Sequence, residues 1–457
     1  MTTIAGQTSI ENRLSQSEKR KIIFIMCTVL LFSVMNGTMF MIAVPDIAYS
    51  FSLVPSQVSW VVTSYIVVYA IGALMYGKLA DIYPLKTLLT IGLSLFGVGS
   101  ILGFFSPSFL MVIVARIVQA AGASSILALV FIVPSRYFPQ ERGKVLGIIS
   151  STMAFASGIG PVIGGFVAGI LHWNFLFLIS ACVLLSIPFF WMWIPKEEKK
   201  AGKVDLLGAF LVAIAVASII LFITLLVWWY LIISIGFFVL FVLRIFKYDN
   251  PFIRPDLFRS VSYRTTIITS FFAMMTMMGN MFLLPLMLSD VNGLNTLAIG
   301  LTIFPAAMAA ALTGKWAGVL TEKWGGKQVV YLAFAFMISG FGLLSTLVGQ
   351  NTWVIALVTL LVFIAFPFIQ TSTANLLSEA LPKSEIGVGM GIYNLFNFMA
   401  GALGGALIGK ALDYKTDFLI NPFSIAEGNE TMYSNVFISL AILTIANCLF
   451  FRLVMKK

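Results

Sequence analysis

Charge is scarce in this chain, and the residue types that build most catalytic sites are scarcer still. Asp, Glu, Lys and Arg make up 10% of the 457 residues, alongside one histidine and three cysteines. Runs of eighteen or more residues carry almost no charge, which excludes a water-soluble fold of this size because so much apolar surface could not be buried. His172 stands alone, the cysteines lie apart within apolar runs, and no P-loop is present. The sequence therefore predicts no enzyme, no metal site and no disulfide framework.

What fills the chain instead is apolar sequence, at 60% of residues and a mean hydropathy of +1.01. Fourteen apolar segments are each about the length that a helix needs to cross a bilayer. They span roughly 21–44, 57–77, 87–105, 109–131, 144–170, 175–194, 206–225, 228–246, 263–288, 297–318, 328–347, 352–375, 387–409 and 434–454. We number them spans 1 to 14. The fold class predicted is an all-α polytopic membrane protein.

The positive charges fix the predicted orientation. All but three of the 28 Lys and Arg residues fall in the tails and in the loops after even-numbered spans, and the exceptions are Arg116, Lys410 and Lys415. By the positive-inside rule both termini are cytoplasmic. The net charge of +10 is explained by loops that face anionic lipid, so no nucleic-acid partner is predicted. The polar start, without a cleavage site, indicates that span 1 is retained.

Two internal repeats divide the chain. The segment from Gly77 to Lys86 after span 2 is echoed from Gly318 to Lys327 after span 10, and spans 5 and 13 both carry glycines at four-residue spacing. Two six-helix halves with spans 7 and 8 inserted between them would produce this pattern. The predicted organisation is a cytoplasmic tail (1–20), a first half (21–200), an inserted helix pair with linkers (201–262) and a second half (263–457).

Four motifs in order resemble the major facilitator superfamily over essentially the whole chain. They are Val44-Pro45-Asp46-Ile47, Gly77-Lys-Leu-Ala-Asp81 with Lys86, Ala115-Arg116-x-x-Gln119-x-x-Gly122, and Ala156-x-x-x-Gly160-Pro161-x-x-Gly164-Gly165. Within that superfamily the chain looks like the 14-span drug:proton antiporters, and in particular the Gram-positive tetracycline and multidrug efflux pumps. The resemblance implies the major facilitator fold, with 14 helices arranged as 6+2+6, and alternating access about a midplane site.

The resemblance also implies roles for the motif residues. Gating loops would comprise Gly77, Asp81 and Lys86 and, in the second half, Gly318, Glu322, Lys323 and Lys327. The antiporter motif would comprise Gly160, Pro161, Gly164 and Gly165, as a hinge that resists proton leak or simply as a site of close helix packing. The first loop departs from the family at Ile82, Pro84 and Leu85, so the second copy is expected to be the stronger latch.

No Asp or Glu lies in the middle of a span. Asn36 stands where many relatives carry an acid, and Gly37 and Gly401 stand where tetracycline pumps carry Glu, which argues against tetracycline. The proton-coupling candidates are therefore Asp46, Arg116 and Asp290. Arg116 would need a wet cavity or partners, since a mid-membrane charge is costly. The alternatives without a role in proton coupling are that Arg116 is structural, that Asp46 is a solvated loop acid and that Asp290 caps a loop.

Neutral polar and aromatic side chains recur on spans expected to face the centre. The substrate-cavity candidates are Asn36, Thr38, Tyr65, Tyr69, Gln119, Asn280, Gln370, Asn375, Tyr393, Asn394 and Asn397. Such a surface suits bulky amphipathic molecules better than sugars or anions, although most of the Met and Phe around it are expected only to pack.

The predicted function is secondary active multidrug efflux in exchange for protons, with sodium as the alternative coupling ion and no cofactor. A lipid flippase or a metabolite exporter on the same fold is the main alternative, and a channel or membrane enzyme has less support. The expected partners are amphipathic small molecules and the lipid bilayer of a bacterial plasma membrane, with a monomer or weak dimer as the assembly. The natural substrate and the stoichiometry are not predicted.

Overall fold

The structure is a computed structural model. It describes residues 15–80, 82–138, 141–195, 197, 205–247, 255–382, 386–414, 416 and 418–455. Inner and outer sides are named below by the predicted orientation.

Fourteen helical segments follow the fourteen predicted spans, and we label them α1 to α14 in that order. Those of the first half are α1 Gln16–Ile42, α2 Trp60–Leu79, α3 Leu85–Phe104, α4 Phe109–Val130, α5 Arg142–Ile170 and α6 Phe175–Trp193. The inserted pair is α7 Leu206–Leu225 and α8 Trp228–Lys247. The second half comprises α9 Val261–Asp290, α10 Thr296–Trp324, α11 Gly326–Thr346, α12 Thr352–Glu379, α13 Ile386–Leu412 and α14 Glu430–Met455. Short helices Val44–Phe51, Pro55–Val58 and Val133–Tyr137 lie between them.

Local sequence explains where several helices begin. Ser15 and Glu18 form a reciprocal capping box at α1, Ser108 accepts from the Met111 amide at α4, and Asn295 accepts from the Ala298 amide at α10. These side chains satisfy amide groups that have no partner within the helix.

Within the described residues, thirteen helices are long and apolar enough to cross a membrane, and α5 contributes a shorter apolar stretch, Phe155–Ile170. This confirms the all-α multi-pass architecture. In α6 the middle turn, Cys182–Ser186, is a 3-10 helix.

The two halves repeat the same packing. α1 pairs with α5, α2 with α4 and α3 with α4, just as α9 pairs with α13, α10 with α12 and α11 with α12. A third sequence echo accompanies this symmetry, because Met35-Asn-Gly-Thr-Met-Phe40 in α1 matches Met277-Met-Gly-Asn-Met-Phe282 in α9.

Two seams join the halves, α5 against α10 and α2 against α13. Glycines allow close approach at both. A Cβ at Gly165 would lie 2.9 Å from the Thr296 carbonyl oxygen, and one at Gly409 would lie 2.9 Å from the Pro55 carbonyl oxygen. Both contacts are on the outer side, where the halves therefore meet most tightly.

The inserted pair packs beside the α2–α13 seam. α7 contacts helices of both halves there, and Val212, Val216 and Ile220 share a buried apolar cluster with Val67 of α2. The pair is fastened on the inner side by an ion pair between Asp205 and Arg244, whose Oδ1 and Nε lie 2.7 Å apart. α8 turns most of its surface outward, with only 11% of its apolar window buried, as expected for a lipid-facing helix.

Candidate transport site

Arg116 lies in the middle of α4 and is enclosed by the first half. Only 1% of the residue is exposed. Its Nη1 donates to the Asn36 and Gln119 side-chain oxygens, both at 2.7 Å, and its Nε donates to the Val61 carbonyl at 3.1 Å. The predicted need for partners is thus met by neutral groups, and Arg116 is not a wall of an open cavity.

Its partners are themselves held in place. Asn36 donates to the Ser180 hydroxyl at 2.7 Å, and Gln119 donates to the Ser100 hydroxyl at 2.8 Å. The network links α1, α3, α4 and α6, so Asn36 and Gln119, predicted as cavity residues, instead build the interior of the first half.

An aromatic stack leads from Arg116 to the other half. The guanidinium lies 3.9 Å from the Tyr65 ring centroid and 4.2 Å from that of Phe40. Tyr65 stacks on Tyr69 at 5.5 Å, and Tyr69 meets Phe398 of α13 edge-on at 5.3 Å. Because Phe398 belongs to the second half, this stack changes whenever the halves move apart at the α2–α13 seam.

The second half carries no matching cation among its described mid-span residues. Its predicted polar residues bond with one another and with their neighbours: Tyr393 with the Thr373 hydroxyl at 2.8 Å, Asn397 with the Ser270 hydroxyl at 2.7 Å, and Asn375 with Glu379 on the same helix. Asn280 is fully buried, and neither side-chain atom has a hydrogen-bond partner among the described residues. A buried amide without partners costs about 1–3 kcal/mol per group.

Four predicted cavity positions keep accessible surface. Asn394 is exposed, while Thr38, Gln370 and Asn375 are partly exposed. A Cβ placed on Gly37, next to Thr38, would meet open space. The accessible part of the predicted polar set therefore comes from α1, α12 and α13.

The outer side of the α5–α10 seam carries the first predicted proton acceptor. The Thr296 hydroxyl of α10 donates to the Asp46 carboxylate at 2.5 Å. Asp46 stands just beyond α1, in the first half, so this hydrogen bond joins the two halves. Burial raises the pKa of Asp46, while the Thr296 hydrogen bond and nearby His172 act in the opposite direction.

The α2–α13 seam has a comparable contact. The Ser56 amide donates to the Asp413 carboxylate at 3.1 Å, and Lys410 lies 3.6 Å from that carboxylate. Deeper in the seam the Thr63 hydroxyl donates to the Ala402 carbonyl at 3.4 Å. These two bonds and the Asp46–Thr296 bond are the side-chain hydrogen bonds found between described residues of the two halves, and all three lie on the outer side.

Asp290 occupies the equivalent place at the outer end of α9 but stays within its own half. Its carboxylate accepts from the Tyr433 hydroxyl of α14 at 2.5 Å. The two outer acids thus differ, because Asp46 bridges the halves whereas Asp290 fastens two helices of one half.

The predicted antiporter motif lies where α1, α5 and α10 meet. A Cβ on Gly160 would collide with Thr38, and one on Gly164 would lie 2.8 Å from the Met39 carbonyl. The Pro161 carbonyl lies 2.7 Å from a Cβ built on Gly300. The glycines therefore allow backbone contact on both sides of α5, as close helix packing requires.

The described residues of the predicted gating loops are not brought together in the structure. Asp81 lies outside the described residues. Gly77 and Gly318 face open space, Glu322 and Lys323 are exposed, and Lys327 donates to the Met455 carbonyl at 2.9 Å. The described loop residues of the second half thus do not meet the first half in this conformation.

An inner-side cluster escaped the sequence analysis. Glu197 accepts from the Leu85 amide at 2.8 Å, from the Tyr137 hydroxyl at 2.8 Å and from Arg136 at 3.2 Å. Lys86 lies beside it and donates to the carbonyl oxygens of Trp191 and Ile194. The only feature of the sequence that pointed to Glu197 was an acid within a lysine-rich linker, and such a pattern is typical of an ordinary solvated loop.

Together these features define a polytopic carrier, with two similar halves that bond to each other on the outer side. Residues 26–405 match the Major Facilitator Superfamily, and the chain belongs to that family. It is a transporter and not an enzyme.

Similar proteins agree with this assignment. The chain is 28% identical to the uncharacterized MFS-type transporter YvkA of Bacillus subtilis, covering 84% of this chain and 89% of that one. It is 29% identical to the riboflavin transporter RibZ of Clostridioides difficile, covering 88% and 91%.

Two solved structures share the fold. A bacterial homolog of the human lysosomal transporter Spinster superposes with a TM-score of 0.68 at 14% identity, covering 97% of this chain and 98% of that one. The nucleoside transporter NupG gives 0.67 at 11% identity, covering 95% and 99%.

Proposed function

We propose that this protein is a proton-coupled exporter of amphipathic small molecules, as in the 14-span drug:proton antiporters that its motifs resemble. It would work in a bacterial plasma membrane with both termini in the cytoplasm, as the distribution of Lys and Arg predicts.

The observation that carries the proposal is the position of Asp46. Its carboxylate bonds to the opposite half at 2.5 Å, on the outer side where protons are supplied. A group at that point can link its own protonation to the movement of the halves, because its surroundings differ between the sealed and the open arrangement.

The sign of this coupling follows from burial. In the sealed arrangement desolvation raises the pKa of Asp46, so this arrangement binds a proton more tightly than one in which Asp46 faces water. Uptake from the outside therefore favours the step that opens the carrier inward. Release requires water to reach Asp46 from the inner side.

The substrate class follows from the accessible surface. Asn394, Gln370 and Thr38 offer neutral hydrogen bonds, and the partly exposed Phe398, which meets the buried Tyr65–Tyr69 stack, offers an aromatic ring. A mid-span carboxylate that would select cations is absent from the sequence. Neutral or weakly charged molecules with a planar ring suit this site best.

A metabolite exporter is the second candidate, and the similarity to the riboflavin transporter RibZ favours it. Riboflavin combines a planar ring with neutral polar groups, which is the same chemistry. The two candidates therefore differ in the range of substrates and share the driving force.

Transport into everted membrane vesicles tests the proposal, with ethidium, a neutral planar dye and riboflavin as substrates. Accumulation should follow an imposed proton gradient, should not follow a sodium gradient, and should favour the neutral ring compounds over ethidium. Accumulation of riboflavin alone would select the metabolite exporter. Sodium-driven accumulation, or no gradient dependence, would reject the proton coupling.

The acid is tested by two matched variants. Asp46→Asn should abolish proton-driven accumulation while substrate still binds, whereas Asp290→Asn should keep most of the parental rate because its contact lies within one half. Equal effects of the two substitutions would remove Asp46 from the proposed cycle.

A further inference from the structure

The outer seal is made of two unlike parts. At the α5–α10 seam a hydroxyl meets a half-buried carboxylate, Thr296 with Asp46. At the α2–α13 seam a backbone amide meets a carboxylate that also pairs with a lysine, Ser56 with Asp413 and Lys410. Both contacts must break for the outer side to open, because each joins one half to the other.

The groups around Asp46 allow its response to be worked out. The short helix Val44–Phe51 holds it, and Ser50 on that helix bonds through its hydroxyl to the Asp46 carbonyl at 2.7 Å and accepts from the Trp173 indole at 2.9 Å. His172, on the loop before α6, is the titratable neighbour that acts on the carboxylate. Asp290, on the adjacent α9, is engaged by Tyr433. Asp46 is therefore the carboxylate whose charge is buried by closure of this seam.

We propose that Asp46 and Thr296 form a proton-responsive latch of the outer seal, and that Asp413 and the Ser56 amide form a second latch that holds the other seam. The proposal rests on the proposed function only for the direction in which proton uptake shifts the balance between the open and sealed arrangements. The latch itself needs no substrate and no proton transport, so it can be tested separately.

Physical chemistry gives the expected response. Among the described residues, an ionised Asp46 has one side-chain donor, Thr296, when the seam closes, and it loses its water. Closure is therefore most favoured below the pKa that Asp46 has in the open arrangement, and this preference is lost as the outer pH rises from that value to the raised pKa of the sealed arrangement. The balance between open and sealed arrangements changes by up to about tenfold per pH unit between the two pKa values.

The reporter is a single cysteine at Gly37, where a Cβ would have no atom within 4 Å and which precedes Asp46 by nine residues, on the inner side of the Asp46–Thr296 contact by the predicted orientation. Cys27, Cys182 and Cys448 are first replaced by serine. In proteoliposomes of known orientation, a membrane-impermeant maleimide added outside reaches position 37 only when the outer side opens. Its labelling rate is measured between pH 4 and 8 and divided at each pH by the rate of the same cysteine in the unfolded protein, because the thiolate is the reacting form and its fraction rises with pH.

In the otherwise unaltered reporter protein this normalised labelling rate should rise severalfold with pH across that range. Asp46→Asn should give a low rate at every pH, because the side chain keeps its shape and cannot become charged. Thr296→Val should raise the rate most at high pH, where the charge loses its donor. Asp413→Ala should raise the rate while leaving the pH response in place. Asp290→Asn and His172→Gln should both keep the response.

An unchanged pH response in Asp46→Asn, or none in the reporter protein, would overturn the latch. If labelling behaves as predicted but Asp46→Asn still exports substrate with protons, the latch stands and the proposed carrier role of Asp46 fails. Thermal melting of each variant shows that it is folded, and a misfolded Asp46→Asn would be replaced by Asp46→Ser, which also removes the charge.

Discussion

Replacing Arg116 with lysine keeps a positive charge in the first half but removes the planar guanidinium. In the structure that group makes three hydrogen bonds at 2.7–3.1 Å and contacts the rings of both Tyr65 and Phe40. A lysine ammonium is a point charge that cannot stack in the same way or reach all three acceptors in fixed directions.

We expect the lysine variant to lose one or two hydrogen bonds to a charged group and part of the ring contact. At about 1.5–3 kcal/mol for each such bond, the stability of the first half should fall by about 2–5 kcal/mol. A domain of comparable size loses about 2–4 °C of Tm per kcal/mol, so the Tm should fall by on the order of 10 °C.

Thermal melting in detergent, followed by size-exclusion chromatography, measures this change. Arg264→Lys is the matched control, because Arg264 is an exposed arginine of α9 and its substitution should leave the Tm unchanged. A variant Arg116→Lys that melts like the parent but has lost transport would refute the reasoning, since it would make Arg116 a coupling residue and not part of the packed interior.

Two other substitutions test parts of the same account. Gly165→Val should prevent outer sealing and lower transport at least tenfold, because even a Cβ there would lie 2.9 Å from the Thr296 carbonyl. The control is Gly236→Val, because a Cβ at Gly236 would meet nothing within 4 Å. Equal transport rates for the two variants would contradict this role of Gly165. Glu197→Gln should lower the Tm by several degrees, because the carboxylate accepts hydrogen bonds from the first amide of α3, Arg136 and Tyr137. The control Glu427→Gln, at an exposed loop residue, should leave the Tm unchanged. A parental Tm for Glu197→Gln would show that this cluster is not needed for stability.

The spans were predictable because bilayer thickness fixes both the length and the polarity of a crossing helix. Span 9 was predicted over 263–288 and the helix is Val261–Asp290; span 12 was predicted over 352–375 and the helix is Thr352–Glu379. The helices run past the apolar core because polar residues at their ends can still complete a helical turn in the headgroup region.

The partners of buried polar residues could not be predicted in the same way. The sequence analysis predicted Asn36 and Gln119 as substrate-cavity residues, whereas folding joins both to Arg116 of α4 in the interior of the first half. Glu197 shows the same limit, because a loop acid gains its role only when the amide of Leu85 and the side chain of Arg136 are brought to it by folding.

The two candidate acids show what the structure adds to the sequence. Asp46 and Asp290 have similar positions in the sequence, at the ends of spans 1 and 9. Only the structure separates them, because Thr296 belongs to the opposite half and Tyr433 to the same half.

The central claim is that Asp46 couples proton movement to the exchange between the two halves. Proton movement driven by a substrate gradient in proteoliposomes tests it most directly, with a pH-sensitive dye trapped inside and no imposed proton gradient. The parent and Asp290→Asn should both move protons against the direction of the substrate, and Asp46→Asn should move substrate down its gradient without protons. Parental proton movement in Asp46→Asn would contradict the account.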